Sequence, residues 1–289
     1  MTATPELNII TNDWYCGVLA DSYAVDEAAP HPSRLTTMVV TYPRIIHSEF
    51  MTHRLFSRNA ASSRAIPFKK MFDTVRNHPF IPHVWGRMEL TQMQMLECKD
   101  TWLYALHLAL EQANTLHKIG LHKSIPNRLL EPWSWITVVV SATQWSNFFA
   151  QRCHPDAEPH MQKLAYMMRD AYDASTPVRK YSSEWHIPFD PGPIEDFDLA
   201  TYILEQFRMS DFEARLAIAT ARCARTSYLN FNSKRDILDD IRLFNKLKES
   251  GHWSPFEHCA QVNLSGTTIR SNFNSVWQQY RKLFPGECR

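Results

Sequence analysis

The chain has 289 residues, 31 Lys and Arg against 30 Asp and Glu, a net charge of +1, and 44% hydrophobic with 21% charged residues. That balance excludes a disordered chain and offers no basic excess for direct nucleic-acid binding, so a bound anion must be held by a local cluster. No stretch approaches the about 18 apolar residues of a membrane span. The opening MTATPELNIITNDW lacks the basic-then-apolar order of a secretory signal, and the cysteines at 16, 98, 153, 223, 259 and 288 form no CxxC pair, which implies a cytoplasmic protein with free thiols.

Residues 14–22, WYCGVLADS, read as a short strand, and 34–47, RLTTMVVTYPRIIH, as a β-branched strand interrupted at Pro43. The next segment, EFMTHRLFSRNAASSRA, fits a helix with a poor apolar stripe, followed by an irregular stretch over 68–87. Met95, Leu96, Trp102, Leu103, Leu106, Leu110 and Ala113 predict a helix over 91–119 that stops at Gly120. ITVVVSATQWSNFFAQR divides near Ser141 into a strand and a helix, and 157–173 reads as another helix. The prolines at 177, 188, 191 and 193 mark 174–194 as a surface connection or lid. Helices are expected over 195–207, 211–225 and 235–250, with Asp211 and Ser210 at a cap. HWSPFEHCAQVNLSG then reads as a turn and a strand. With no repeat and no boundary, residues 1–289 read as a single catalytic domain.

Residues 52–64, THRLFSRNAASSR, concentrate three arginines, three serines, a histidine and an asparagine. Arginine forks and serine hydroxyls suit phosphate oxygens, but a solvated helix face explains the same composition equally well. Asn147 and Arg152 stand in an apolar segment, where a buried carboxamide serves either a ring with alternating donors and acceptors or a helix cap. His252 and His258 flank Glu257 without the spacing of a zinc motif, so no metal is expected. Cys153 and Cys259 each adjoin a histidine, a spacing that does not bring the two side chains together on a helix.

The segment 52–64 resembles the RHRxxSxNxxSxR signature of flavin-dependent thymidylate synthases, through His53, Arg54, Ser57, Asn59, Ser62 and Arg64. NFFAQR at 147–152, ARTSY at 224–228 and GHWSPFEH at 251–258 resemble further segments of that family. The last two precede the arginine motif in the family and follow it here, which resembles a circular permutation. The resemblance implies an α/β (α+β) fold with a curved sheet flanked by helices, and a homotetramer with shared active sites. It implies one-carbon transfer from methylenetetrahydrofolate to C5 of a pyrimidine deoxynucleoside monophosphate, dUMP to dTMP, with FAD as cofactor and NADPH as reductant. Hydroxymethylation of dUMP or dCMP and a noncatalytic nucleotide-binding relative are the alternatives.

By the same resemblance, Arg152 and His258 are catalytic, Arg152 contacting the pyrimidine and His258 lying near flavin and folate. Glu49, Ser62, Arg64 and Arg128 join Arg152 in binding substrate, with Ser62, Arg64 and Arg128 on the 5′-phosphate. His53, Arg54, Asn147 and Ser227 position the flavin. The sequence departs from the family pattern at Thr52, where an arginine is usual, at Ala60 for a glutamate, at Glu49 for a glutamine, and at Ser141 and Thr143 for an asparagine and an arginine. Arg281 and Lys282 are candidates to compensate.

Overall fold

The computed structural model describes residues 11–25, 33–60, 62–86, 89–225, 236–263, 272–274 and 276–287. Its centre is a five-stranded sheet of order β3-β4-β2-β1-β5, and a three-stranded sheet of order β6-β7-β8 stands beside it. β2 (Ser33–Pro43) and β4 (Trp135–Ala142) are rich in Val, Ile and Thr, pair antiparallel and are buried on both faces, as central strands should be. β1 (Tyr15–Ala24) pairs antiparallel with β2, with a register shift between Val18 and Ala20, and accepts β5 (Val178–Lys180) in parallel. β3 (Ser57–Ala60) completes the other edge against β4.

The single curved sheet implied by the resemblance is therefore corrected to two sheets flanked by helices in a mixed α/β fold. β3 and β5 end the larger sheet as two unjoined edges, so neither sheet is closed or strongly curled. The helix expected across residues 49–65 is also corrected. Only α1 (His47–Phe50) is helical there, and the chain turns into β3. The poor apolar stripe has its reason: Ser57 and Asn59 face one side of the sheet, Ala60 the other, which is the period of a strand. The stretch read as irregular contains α2 (Phe68–Asn77), whose Phe68, Met71 and Val75 bury at helical spacing.

One face of the larger sheet carries Met38, Val40, Tyr42, Ile136, Val138 and Val140. It packs on α5 (Ser146–Arg152) and α6 (Pro159–Ala174), through Phe148, Met161, Leu164 and Met168. Each such side chain contributes roughly 1.5–3 kcal/mol by leaving water. The opposite face presents Thr37, Val39, Thr41, Thr137, Val139 and Ser141 toward α8 (Asp211–Ala224) and the second sheet. Ser210 caps α8 in a capping box with Glu213, while Asp211 accepts from the Ile194 backbone N–H.

α3 (Gln92–Lys118), capped by Thr91 and Gln94, lies outside this stack with α2 and α4 (Ser124–Leu129) around Leu106, Ala113, Leu130 and Trp133. Segment 174–194 supplies β5 to one sheet and β6 (Trp185–His186) to the other, burying His186 and Phe189. α7 (Phe197–Phe207) and α9 (Ile237–Glu249) pack against α8. Gly251, at φ +66, ends α9, with His252 N–H bonding to Leu247 O at 2.9 Å and Gly251 N–H to Lys248 O at 3.2 Å. This left-handed helix stop turns the chain into 254–257, ahead of β7 (Ala260–Val262) and β8 (Trp277–Gln279). Among the described residues no helix is long and apolar enough to cross a membrane.

Candidate functional site

Phe50 and Phe56 are both buried against Trp145 and Phe148, and they pin the two ends of a tight turn. Phe56 N–H bonds to His53 O at 3.2 Å and Thr52 N–H to Glu49 O at 3.0 Å, which lifts Thr52, His53 and Arg54 to the surface. Thr52 and Arg54 are exposed there, and His53 is half-buried. Arg152 reaches the same place from the last turn of α5, a position that favours a cation. Its Nη1 lies 2.5 Å from Glu49 Oε1, and its Nε donates to His53 Nε2 at 3.2 Å. A guanidinium is always a donor, so His53 Nε2 accepts and the imidazole proton resides on Nδ1. Burial first, then Arg152 and Arg58, lower the His53 pKa to about 4.

A band of cationic groups continues from this rim. Arg58 Nη1 donates to Met51 O at 2.8 Å, and Arg44 pairs with Glu131 at 3.3 Å. His47 Nδ1 bonds the Tyr42 hydroxyl at 2.9 Å, and burial, then Arg44 and Arg58, hold its pKa at about 4. Arg128 adds its charge to the field at Arg44. Arg128 is exposed on α4, and the same short helix grips the turn that bears Ser62 and Arg64. Asn127 Nδ2 donates to Ser63 O at 2.8 Å and Ile66 O at 2.9 Å, and Lys123 Nζ to Ala65 O at 3.1 Å. Ser62 and Arg64 stand exposed on that fastened turn. Two stretches remote in sequence thus form one local unit.

On the inner side of β3 the motif meets the GHWSPFEH segment. Asn59 Nδ2 donates to Cys223 O at 2.7 Å, and Ser254 Oγ donates to Asn59 Oδ1 at 3.2 Å. Gln279 Nε2 joins Ser57 Oγ at 2.9 Å to Glu257 O at 3.1 Å. His258 is wholly buried; its Nδ1 lies 2.8 Å from Ser141 Oγ, and its Nε2 has no partner among the described residues. Burial lowers its pKa to about 3.

Other expected residues fall elsewhere. Asn147 is exposed rather than buried, and its Oδ1 accepts from Gln151 at 3.2 Å. Ser227 lies outside the described residues. Arg281 is engaged by Glu257 and Glu287, and Lys282 lies 2.7 Å from Glu287, so both serve an internal ion-pair cluster. Sequence reasoning counts Arg58 within 52–64 but misses Arg44 and His47; the run PRIIHSEF, basic and aromatic just upstream of the motif, is the signal that could have found them.

Burial pushes the Cys16 and Cys259 thiols up to about 12 and raises Cys153 and Cys223, which removes the thiolate a nucleophile needs. Among the described residues no group of three or more His, Cys, Asp or Glu has the arrangement of a metal site. A cleft of ≈ 610 Å³ opens between the sheets, walled by Asp21, Ser22, Lys180, Trp185, Phe212 and Arg215.

No protein-family model and no curated protein matches the chain. Two solved structures of flavin-dependent thymidylate synthase ThyX from Helicobacter pylori, both with FAD and dUMP, overlap part of it. They share 18% and 17% identity, each covering 48% of this chain and 67% of its own, with a TM-score of 0.35 in both cases. The overlap takes in about half of this chain, and the functional reading rests on its own residues.

Proposed function

We propose that this protein transfers a one-carbon unit from methylenetetrahydrofolate to C5 of a pyrimidine deoxynucleoside monophosphate, converting dUMP to dTMP with FAD as cofactor and NADPH as external reductant. The observation that carries the reading is the meeting of Glu49, His53 and Arg152 at one rim, with the arginine and histidine 99 positions apart in the chain. A guanidinium held in place by a carboxylate and a neutral imidazole is a pre-aimed donor for a carbonyl oxygen or an anion.

In this reading Arg152 donates to a pyrimidine carbonyl and draws off the negative charge that builds as C5 becomes nucleophilic. Glu49 keeps the guanidinium turned to the rim. Ser62, Arg64 and Arg128 hold the 5′-phosphate, and Asn127 and Lys123 keep their two elements together. Guanidinium and imidazole groups at the rim fit the anionic and carbonyl edges of FAD; His53 and Arg54 there, together with Asn147 and Ser227, are the residues that would hold it. When bound and reduced, the flavin supplies the hydride that completes the methyl group. His258, whose Nε2 is buried without a partner among the described residues, is the residue the resemblance would set near folate and flavin.

The test is the visible spectrum of the purified protein, followed by dUMP-dependent oxidation of its reduced flavin. Arg152→Ala is expected to abolish that oxidation while the flavin stays bound. If no pyrimidine nucleotide alters the oxidation in the unsubstituted protein, the synthase reading falls. Unchanged dUMP affinity in both Arg64→Ala and Arg128→Ala would remove the phosphate assignment. Light scattering tests the homotetramer with shared sites that the resemblance implies.

A further inference from the structure

Behind the rim, on the inner face of the larger sheet, five side chains form an unbroken hydrogen-bonded line. Ser22 Oγ lies 2.9 Å from His186 Nδ1, and His186 Nε2 lies 2.8 Å from Thr37 Oγ1. Thr37 Oγ1 lies 2.6 Å from Ser141 Oγ, which lies 2.8 Å from His258 Nδ1. All five residues are buried, Ser22 at 3% exposure and the other four at 0%. They come from β1, β6, β2, β4 and the turn before β7, so the line crosses the interface between the two sheets. Its ends differ. Ser22 forms part of the wall of the ≈ 610 Å³ cleft. At the other end His258 Nε2 is buried without a partner among the described residues.

We propose that this line is a proton path between the cleft and a ligand bound at His258 Nε2, the ligand bearing an acidic O–H, N–H or C–H. The inference does not rest on the identity of the substrate proposed above. Burial keeps both imidazoles neutral, which makes the line directional. Each hydroxyl has one proton to give and neighbours on both sides. If Thr37 donates to Ser141, then His186 donates to Thr37 from Nε2, and Ser141 donates to His258 Nδ1, leaving the proton of both imidazoles on Nε2. If Ser141 donates to Thr37, both imidazoles carry their proton on Nδ1. With every hydroxyl giving its proton along the line, the two histidines share one tautomer.

Transfer converts one direction into the other. Starting from Nδ1–H imidazoles, the ligand's proton bonds to His258 Nε2 and its electron pair stays with the ligand. His258 Nδ1–H passes to Ser141, Ser141 to Thr37, Thr37 to His186 Nε2, His186 Nδ1–H to Ser22, and the Ser22 proton to water in the cleft. One N–H bond forms at the inner end and one proton leaves at the outer end, with every member of the line neutral before and after. The Asp21 carboxylate does not compete for the proton, because it accepts from Arg34 and Thr36.

Long-range proton–nitrogen NMR of the full chain, with ¹⁵N-labelled histidine, tests this directly. Near neutral pH, His186 and His258 are expected to be neutral and in the same tautomer. Thr37→Val cuts the line in its middle with almost no change in volume. The ring N–H of His258 should then exchange with solvent at least about tenfold more slowly, since exchange now needs local opening, while His186, still joined to Ser22, keeps its rate. Thr37→Ser should restore the original rate. Opposite tautomers in the unsubstituted protein, or an unchanged His258 exchange rate in Thr37→Val, overturns the proposal. Should Thr37→Val not fold, Ser141→Ala isolates His258 at the next link, and unchanged His258 exchange there overturns the proposal equally.

Discussion

The two faces of the larger sheet are built from the same strands and do opposite things. Along β2, Met38, Val40 and Tyr42 alternate with Val39 and Thr41, and the first set meets α5 and α6 in an aromatic and aliphatic core. Charge on that face sits in pairs at its margins, Glu49 with Arg152, 28% and 22% exposed, and Asp21 with Arg34. On the other face, hydroxyls pair across the strands, Thr41 with Thr137 at 2.8 Å and Thr37 with Ser141 at 2.6 Å, and the buried imidazoles join them. Burial there is made tolerable by hydrogen bonding without formal charge, which avoids the desolvation cost of an ion. One sheet thus separates charged chemistry at an edge from neutral polar chemistry in its interior.

The largest break in that contrast comes from the apolar face. Phe148→Ala removes the ring that touches Phe50, His53 and Phe56, and should cost about 3–5 kcal/mol by the transfer and cavity effects together. Urea unfolding measures it, and the floor under His53 and Arg152 is lost with it.

Acid comes next, and it acts on the second face. The unfolded chain protonates His186 and His258 near pH 6.5, whereas burial holds their folded pKa at about 3. Between those values the unfolded state binds more protons, so stability falls as pH drops. At pH 5 the loss should be on the order of 2 kcal/mol for each histidine. Denaturation midpoints across this window, compared with a His186→Asn chain, check the sign; a midpoint that rises on acidification would contradict neutral burial.

Smaller again is Ser141→Ala, which leaves Thr37 and His258 Nδ1 short of a partner and should cost about 1–3 kcal/mol. Thermal unfolding measures it. An equally large effect from Ser62→Ala, on the exposed turn of residues 62–64, would blur the distinction between interior and rim.

The sequence carried these regions unequally. β2 and β4 were legible because β-branched runs buried on both faces leave a continuous apolar record. β3 was not, since an edge strand of four residues with Arg58 and Asn59 in it looks like a polar helix face until the register with β4 is known. Likewise, the residue types in 52–64 suited an anion site and a solvated helix face equally, and only the fold brings Glu49 to Arg152 or ties the Ser62 turn to the Arg128 helix. The hydroxyl–imidazole line was illegible for the same reason. Its members lie on five elements, and nothing in a serine or threonine of a strand says which neighbour it will face.

Glu49→Gln has the smallest expected effect on stability and separates the two regions most cleanly. The Glu49–Arg152 pair is partly exposed, so its loss should change the unfolding free energy by no more than about 1 kcal/mol. Its electrostatic effect is local and directed. With the carboxylate neutralised, the Arg152 charge is no longer balanced at His53, where it already opposes protonation, so the His53 pKa should fall further below about 4. The same change leaves Arg152 free to meet an incoming anion, so dUMP should bind more tightly if the guanidinium alone recruits it, and less tightly if the carboxylate is needed to aim it at a carbonyl. His186 and His258, across the sheet and without Glu49 among the charges that act on them, should keep their titration unchanged. A histidine NMR titration reads both faces in one experiment, and movement of His258 would show that the rim and the interior line are electrostatically one site rather than two.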